Sequence, residues 1–394
     1  MLYDVEKYGQ VFTPQDIVAQ MLLLKKNNGR TLEPSAGDGA FANHLTGDFV
    51  AIEIDKKHAV NITEQSKVLN IDFFDYPVKE KFDTIIGNPP YVRYQDIALE
   101  TKKKLNSSLF DERSNLYLFF IEKSIQHLNE GGELIFITPR DFLKATSSIR
   151  LNKFIYDSGT ITDIIDLGDK RVFKGFTPNC IIWRFEKGNF TRKTNITKHF
   201  TYSNGQLLFT DNIYPIRFKD IFYVKVGAVS GNDKIYTHNE FGNEEFVCSS
   251  TYKTGKTKRM IFNIYHPYLE KFKSELLARK IRSFDESNWW EWGRIHHISD
   301  RPRIYVNAKT RNKEPFFIHP CKNYDGSVLA VFPNNPNADI EKLCEKLNNV
   351  NWYELGFVCD GRFIFSQKSL ENTILPEYFR EDIYQTAMCL FENL

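Results

Sequence analysis

The sequence predicts an α/β fold, with a mostly parallel sheet in residues 1–190 and a mixed α+β domain in residues 191–394. Short β-type runs alternate with helical patterns in the first part, which is typical of parallel strands joined by crossover helices. A polar, basic stretch at 187–195 interrupts this alternation, which does not return afterwards. The 394 residues are enough for two domains, since ~150 residues per domain is usual.

The first predicted helix has Thr13 as its N-cap and Pro14 at its first helical position, and Asn27-Asn28-Gly29 ends it. A second helix is expected at 115–128, capped by Ser114 and ended by Gly131-Gly132. A third is expected at 341–347. The predicted strands are a short one before Glu33 and the runs 49–54, 68–71, 84–86, 134–137, 160–167 and 179–185.

Charge is distributed unevenly along a chain that is nearly neutral overall, with 52 Lys+Arg against 50 Asp+Glu. Residues 251–313 hold 15 Lys+Arg against 6 Asp+Glu, a net charge of +9, together with several Trp and Tyr residues. Basic residues interleaved with aromatic ones suit a polyanion that carries flat bases. The alternative is a solvated basic face above core aromatics, and charge alone does not separate the two.

Several classes of protein are excluded by composition. The longest apolar runs are far shorter than the ~20 residues of a spanning helix, and no secretory signal pattern opens the chain. None of the six cysteines forms a C-x-x-C pair. We therefore expect free thiols in a cytoplasmic protein, with neither a disulfide framework nor a metal site.

A glycine-rich segment follows the first predicted strand, with the sequence Leu-Glu-Pro-Ser-Ala-Gly-Asp-Gly-Ala-Phe at 32–41. Gly37 and Gly39 allow a tight turn and a close approach of backbone to ligand. Position 42 is Ala, so the pattern is not G-x-G-x-x-G. It fits a nucleoside cofactor without a pyrophosphate better than a dinucleotide, although two-glycine loops are also common as structural turns.

Acidic residues follow the next two predicted strands. Glu53 is the first choice as acceptor for ribose hydroxyls and Asp55 the second, because an acid at the end of the second strand commonly has this role. Either residue alternatively caps the next helix. After the third strand, Asp72 is suited to accept from an adenine amine, and Phe73 is suited to pack on the adenine ring.

The most specific motif is Asn88-Pro89-Pro90-Tyr91, which follows a predicted strand. The two prolines stiffen the turn and lack N–H donors, which leaves the Asn88 side-chain oxygen and the Pro89 carbonyl as acceptors. An aromatic amine is a poor nucleophile because its lone pair is delocalised. Two acceptors on its hydrogens would favour a tetrahedral nitrogen in the transition state. Tyr91 offers a ring on which an extruded base can stack.

These motifs occur in the order typical of one family. Together with Gly-Gln-Val-Phe-Thr-Pro at 9–14, the 115–120 and 131–139 segments and Arg-Val-Phe-Lys-Gly-Phe at 171–176, they make the chain resemble the gamma-type DNA adenine-N6 methyltransferases of restriction–modification systems. The resemblance covers the first 190 residues closely. It implies S-adenosyl-L-methionine as the cofactor and a Rossmann-like sheet of seven strands with one antiparallel strand at its edge.

The resemblance also implies which residues form the site, because each motif of the family has a counterpart in this sequence. The implied cofactor shell consists of Val11, Thr13, Glu33, Gly37, Gly39, Glu53, Asp72 and Phe73. The implied catalytic residues are Asn88, Pro89, Tyr91 and Phe173, with Phe176 as the alternative to Phe173 for packing on the target base.

The C-terminal domain is expected to recognise the DNA target. Its Trp-Trp-Glu-Trp-Gly-Arg segment at 289–294 and its Ile-Leu-Pro at 374–376 resemble blocks of the family's recognition region, and a Trp cluster is more often core than contact. The candidate DNA contacts are Arg93, Lys256, Lys258, Arg259, Trp292, Arg294, Lys309 and Arg311. The expected partners are double-stranded DNA and a cognate restriction endonuclease encoded nearby, and we expect a monomer.

Other functions share parts of this pattern. Protein-glutamine methyltransferases have the same Asn-Pro-Pro-Tyr turn, because a carboxamide nitrogen is equally delocalised, but they do not need a long basic, aromatic-rich C-terminal part. RNA base methyltransferases, a DNA-binding module with an inactive methyltransferase fold, and the modification subunit of a multi-subunit system are further alternatives. Intact Gly37 and Asn88 disfavour the inactive module, and the large C-terminal domain disfavours the subunit.

Overall fold

A computed structural model describes residues 13–105, 108–110, 114–168, 179–359 and 361–384. The chain forms two compact units, 1–212 and 213–394. The division therefore falls after Asn212, later than the predicted boundary at residue 190. The hairpin of strands β8 (His199–Ser203) and β9 (Gln206–Thr210) belongs to the first unit, and Phe200 and Leu207 contribute to its core.

The first unit is built on a seven-stranded sheet, as the resemblance implies. Its strands are β1 (Thr31–Glu33), β2 (Phe49–Ile52), β3 (Val68–Leu69), β4 (Phe82–Gly87), β5 (Leu128–Pro139), β6 (Gly159–Asp166) and β7 (Cys180–Lys187). They lie in the order β3-β2-β1-β4-β5-β7-β6, and the first five are mutually parallel. The antiparallel strand β7 lies between β5 and β6, so the expectation that it lies at the edge is wrong.

Over the described residues, the helices that accompany this sheet are α1 (Gln15–Leu23), α2 (Lys56–Ala59), α3 (Leu99–Lys102), α4 (Leu116–His127) and α5 (Ile149–Ser158). Two predicted caps are wrong. Pro14 occupies the N-cap of α1 with no side-chain cap, and Asn115 rather than Ser114 caps α4, accepting from the Tyr117 N–H at 3.4 Å. Gly131 and Gly132 lie inside β5 near a register shift against β4, and do not end the helix.

The central strands β1 and β4 and most of β5 are buried on both faces, which explains their continuous apolar runs. Toward the start of β5 the sheet also buries an ion pair between Glu133 and Arg184, 2.7 Å apart and 0% and 2% exposed. Glu133 accepts further hydrogen bonds from the Thr84 hydroxyl and from the backbone N–H groups of Lys26 and Asn27, each at 2.9 Å. The two charges are therefore compensated by a hydrogen-bonded network, without which burial would be costly.

The second unit contains short strands in several small sheets. The strands are β10 (Ile216–Arg217), β11 (Phe222–Val226), β12 (Glu244–Phe246), β13 (Lys258–Met260), β14 (Ile304–Asn307), β15 (Lys309–Thr310), β16 (Phe316–Phe317), β17 (Val328–Pro333), β18 (Val358–Cys359), β19 (Arg362–Ile364) and β20 (Ile374–Leu375). The helices are α6 (Asp233–Tyr236), α7 (Thr251–Thr254), α8 (Lys273–Leu277), α9 (Ile340–Asn348) and α10 (Gln367–Glu371). Helix α9 confirms the helix predicted at 341–347.

An antiparallel sheet in the order β11-β17-β14-β16 organises this second unit. Because side chains alternate along each strand, it separates two cores. Phe222 and Val331 belong to one, and Phe332 belongs to the other. Strand β10 pairs with β20, which joins an early segment of this unit to a late one. Over the ranges described above, no helix is both long and apolar enough to cross a membrane.

Candidate active site

The candidate site lies at the carboxyl ends of the central parallel strands. Strand β1 has β2 on one side and β4 on the other, so the order of the strands reverses there, which is where α/β sheets bind ligands. Glu33 ends β1, Glu53 follows β2, and Asn88 follows β4. The sheet thus brings three separate predicted motifs to one edge.

The glycine-rich segment forms a tight turn around two residues of positive φ, Gly37 at 55° and Gly39 at 88°. A Cβ at Gly39 would lie 2.7 Å from the side-chain nitrogen of Asn43, so the turn has little room for a side chain. The Ala36 N–H donates to the carbonyl of Ile52 at 2.8 Å, which fixes the turn against β2.

Glu53 organises this turn from the neighbouring strand. Its carboxylate accepts from the Gly37 N–H at 2.7 Å and from the Asp55 N–H at 2.8 Å, and the residue is 6% exposed. Burial raises the pKa of Glu53 despite these donors. Asp55 instead caps α2, accepting from the Lys57 N–H at 2.9 Å. The alternative of a simple cap therefore describes Asp55 but not Glu53.

Glu33 is the most deeply buried acid at this edge, with 1% exposure. Burial raises its pKa well above the usual range, and the nearby Glu53 and Asp38 add to this shift. Within the described part of the chain, its Oε2 has no hydrogen-bond partner. A buried acceptor without a donor is costly, so the site suits a ligand that brings a donor or a positive charge.

Asp72 lies after β3 and has several partners. One of its carboxylate oxygens accepts from the Phe74 N–H at 3.0 Å, and the other accepts from the Thr101 hydroxyl at 2.9 Å and the Lys104 ammonium at 3.3 Å. Neither Thr101 nor Lys104 was predicted as a site residue. They follow the Asn-Pro-Pro-Tyr motif along the chain, but no sequence signal pairs them with Asp72.

Phe73 does not present its ring as the resemblance implies. The ring is 2% exposed and packs against Phe120, Phe74 and His127, with centroid distances of 5.0, 5.7 and 5.5 Å. Its place in the structure is the core beneath Asp72, where it supports the end of β3.

The Asn-Pro-Pro-Tyr corner adjoins the glycine-rich turn. The Ser35 hydroxyl donates to the backbone carbonyl of Asn88 at 3.1 Å, and a Cβ at Gly87 would touch Pro34 at 3.6 Å. The Asn88 side-chain amide donates to the Thr13 hydroxyl at 3.2 Å. Thr13 is thus a partner of Asn88 and not the cap of α1. Pro89 is buried at the same corner.

Tyr91 is largely buried behind this corner. It is 8% exposed, its hydroxyl donates to the carbonyl of Ile137 in β5 at 2.9 Å, and its ring meets Tyr117 edge-on at 5.8 Å. Burial raises the pKa of its hydroxyl well above the usual range. The structure therefore gives Tyr91 an anchoring contact, and stacking on a base stays a prediction.

Two predicted site residues, Val11 and Phe173, lie outside the described residues, as does Phe176. Among the residues that are described, no group of three His, Cys, Asp or Glu side chains is arranged to hold a metal ion.

The candidate DNA contacts differ in how far their side chains are exposed to solvent. Trp292 is 2% exposed, its indole N–H donates to the Ile261 carbonyl at 2.8 Å and its ring stacks on Phe246 at 5.0 Å, so it is a core residue and not a DNA contact. Lys258 is held by Asp233 at 3.3 Å and by the buried Asp325 at 3.0 Å. The exposed candidates are Arg93, Lys256, Arg259, Arg294, Lys309 and Arg311.

Comparison with known proteins identifies the family. Residues 19–173 match the model of the Eco57I restriction-modification methylase family. The Type II methyltransferase M.AccI of Acinetobacter calcoaceticus is 30% identical over 397 aligned residues, which cover 89% of this chain and 69% of that protein. The chain belongs to the Type II restriction-modification methyltransferases. S-adenosyl-L-methionine is the cofactor that this membership and the sheet topology indicate.

Other relatives align over about half of this chain. The Type II methyltransferase M.HincII of Haemophilus influenzae is 36% identical over 199 residues, covering 48% of this chain and 39% of that protein. The chain spans less than half of the length of that relative and of M.TthHB8I of Thermus thermophilus, of which 45% is covered.

Similar solved structures include the Type IIL restriction-modification enzyme MmeI in complex with DNA. It shares 12% identity and a TM-score of 0.42 with this chain, covering 93% of this chain and 64% of MmeI. A protein of Listeria monocytogenes described as a class I S-adenosylmethionine-dependent methyltransferase has 22% identity and a TM-score of 0.38, covering 49% of this chain and 65% of that one.

Proposed function

We propose that this chain is a site-specific DNA methyltransferase that transfers a methyl group from S-adenosyl-L-methionine to N6 of an adenine extruded from duplex DNA. The observation that carries the proposal is the contact between Ser35 and Asn88, because it joins the glycine-rich turn to the acceptor corner at one sheet edge. The enzyme would act in the cytoplasm and protect DNA from a cognate endonuclease.

The residues present fit the proposed cofactor. One oxygen of the buried Glu33 carboxyl has no partner among the described residues, which suits a cationic group, and Glu53 holds the turn that would enclose a nucleoside. Asp72 offers a carboxylate to an exocyclic amine. When bound, S-adenosyl-L-methionine supplies an electrophilic methyl group on a sulfonium.

The chain's own contribution is to position a weak nucleophile. Because the Asn88 amide nitrogen points at the Thr13 hydroxyl, the opposite end of the amide presents its oxygen as an acceptor. The Pro89 carbonyl is a second acceptor at the same corner, and no N–H from either proline competes with it. Two acceptors on one amine favour the tetrahedral nitrogen from which the lone pair can react. The amine proton can then leave to water.

Sequencing of the modified DNA tests this proposal. The purified chain would be incubated with labelled S-adenosyl-L-methionine and plasmid DNA, and the modified bases would be mapped. We expect methyl groups on adenine N6 within one short sequence pattern. Methyl groups on cytosine, on RNA or on a protein glutamine would contradict it, as would activity that requires a second protein chain.

A further inference from the structure

The second unit carries an irregular segment, residues 294–303, that is exposed although its ends are firmly held. It lies outside helices and strands, and two of its apolar side chains face solvent, Ile295 with 50% and Ile298 with 73% exposure. We call it the 294–303 loop. Single exposed apolar side chains are ordinary on a protein surface, but these two lie on a short loop that also carries three arginines, a combination that suits a partner with both apolar and anionic groups.

The start of the loop is fixed by backbone pairing and by one buried ring. Arg294 exchanges backbone hydrogen bonds with Val229, at 3.1 and 2.8 Å. His296 is 4% exposed and packs edge-on against Phe246 and Tyr324, with ring centroids 5.9 and 5.0 Å away. Because His296 points inward, its neighbours Ile295 and His297 point outward.

The end of the loop is fixed by two arginines that bind backbone carbonyls. Arg303 donates to the carbonyl of Lys322 at 2.9 Å, to that of Arg301 at 3.2 Å and to that of Ser299. Arg301 donates to the carbonyls of Pro333, the last residue of β17, and of Asn334, at 2.6 and 3.0 Å. The loop is therefore held in one conformation without regular secondary structure.

The charge of the loop is positive and incompletely compensated. Arg303 is 4% exposed, its guanidinium donates to three backbone carbonyls, and Asp300 interacts with it electrostatically. The loop's one acid, Asp300, pairs with Lys322 at 2.5 Å. Burial, Lys225 and Arg303 all lower the pKa of His297. The loop contains three arginines and one acid, and this net positive charge attracts a polyanion.

We propose that the 294–303 loop is a DNA-contacting element, with Ile298 against base edges in a groove and Arg294 on a flanking phosphate. The inference rests on the proposed function and commits to duplex DNA because the charge of the loop is complementary to phosphate. Apolar side chains read thymine methyl groups or enter base steps, whereas basic ones set position on the backbone. A rigid loop loses little conformational entropy on binding.

Matched variants of the full chain test the loop. Ile298→Ala is compared with Ile318→Ala, which alters an isoleucine with 38% exposure in the same unit. Arg294→Ala is compared with Arg362→Ala, another exposed arginine. The probe is a fluorescein-labelled mixed-sequence duplex of about 30 base pairs. Its affinity is measured at several salt concentrations between about 50 and 200 mM, because contacts to phosphate make affinity fall steeply over this range. Plasmid methylation is mapped in parallel.

We expect Ile298→Ala to reduce methylation of the parental sites about tenfold or to alter their sequence pattern. We expect Arg294→Ala to reduce the salt slope of duplex binding by about 1. The matched controls should methylate and bind DNA as the parent does, and all variants should unfold at the same temperature as the parent.

If the parent methylates DNA and each loop variant behaves like its control, the loop assignment is wrong but the proposed function stands. If the parent transfers no methyl group to DNA, the proposed function fails. Altered self-association with unchanged DNA binding would identify a protein contact and overturn the assignment.

Discussion

The hydroxyl of Ser35 donates a hydrogen bond to the backbone carbonyl of Asn88 across 3.1 Å. The two residues are 53 positions apart, yet they join the loop after β1 to the corner after β4. A methyl donor and a methyl acceptor must approach within a few ångströms, so this contact is the structural basis for placing both at one edge. The predictions below test the residues around it.

Asn88→Ala should abolish methyl transfer while cofactor binding persists. The substitution removes the side-chain acceptor at the corner, and removing one positioned transition-state contact typically costs about 100-fold in rate or more. Single-turnover transfer to plasmid DNA measures the rate, and calorimetry with S-adenosylhomocysteine measures binding. Methylation at the parental rate would show that Asn88 does not hold the amine.

Thr13→Val should slow methyl transfer more than it weakens cofactor binding. The Thr13 hydroxyl accepts from the Asn88 amide, and without it the amide is free to rotate its oxygen away from the acceptor position. We expect a rate reduction of about tenfold, the cost of one hydrogen bond. Thr13→Ser retains the hydroxyl and should restore the rate. Equal rates for the two variants would remove Thr13 from this positioning role.

Glu53→Gln should weaken cofactor binding. Its carboxylate accepts from two backbone N–H groups, and a glutamine amide can accept with only one of its two ends. The unpaired donor would loosen the turn at Gly37, and we expect a loss of about tenfold in affinity for S-adenosylhomocysteine. Asp55→Asn is the control, since Asp55 caps α2 and should leave affinity unchanged. Unchanged affinity in Glu53→Gln would contradict its assignment.

Thr101→Val should also weaken cofactor binding, through Asp72. The hydroxyl of Thr101 and the ammonium of Lys104 fix one carboxylate oxygen of Asp72. Loss of the hydroxyl frees the carboxylate to turn, so binding of an adenine-containing ligand should fall about fivefold, as for one net hydrogen bond. Lys103→Met, at an exposed lysine paired with Glu100, is the control. The prediction fails if Thr101→Ser binds no better than Thr101→Val.

Stability should fall as pH drops from about 6.5 to 4. Burial lowers the pKa of His127 and of His296 to about 4, and both residues are almost fully buried. In this range the unfolded chain binds protons that the folded chain does not, so each histidine costs up to about 1.4 kcal/mol per pH unit. Urea unfolding at several pH values measures the slope. Substituting either histidine with Gln should reduce it, and an unchanged slope in both variants would contradict the assignment.

The sequence predicts those features that depend on local pattern. The alternation of strands and helices, the glycine turn and the Asn-Pro-Pro-Tyr corner are all local, and the structure confirms the parallel sheet that they imply. Contacts between residues far apart in the sequence leave no such local pattern, so they could not be predicted. Nothing local indicates that Thr101 bonds to Asp72, that Thr13 binds Asn88 instead of capping α1, or that Phe73 turns into the core.

The buried pair of Glu133 and Arg184 has a consequence for how the first unit can be divided. The segment shared with the Eco57I family ends at residue 173, before β7 and therefore before Arg184. A fragment cut there would leave Glu133 as a lone charge in a dry interior and would strip β5 of its antiparallel neighbour. A stable fragment of the first unit would therefore have to extend at least through β7, beyond the segment that matches the family.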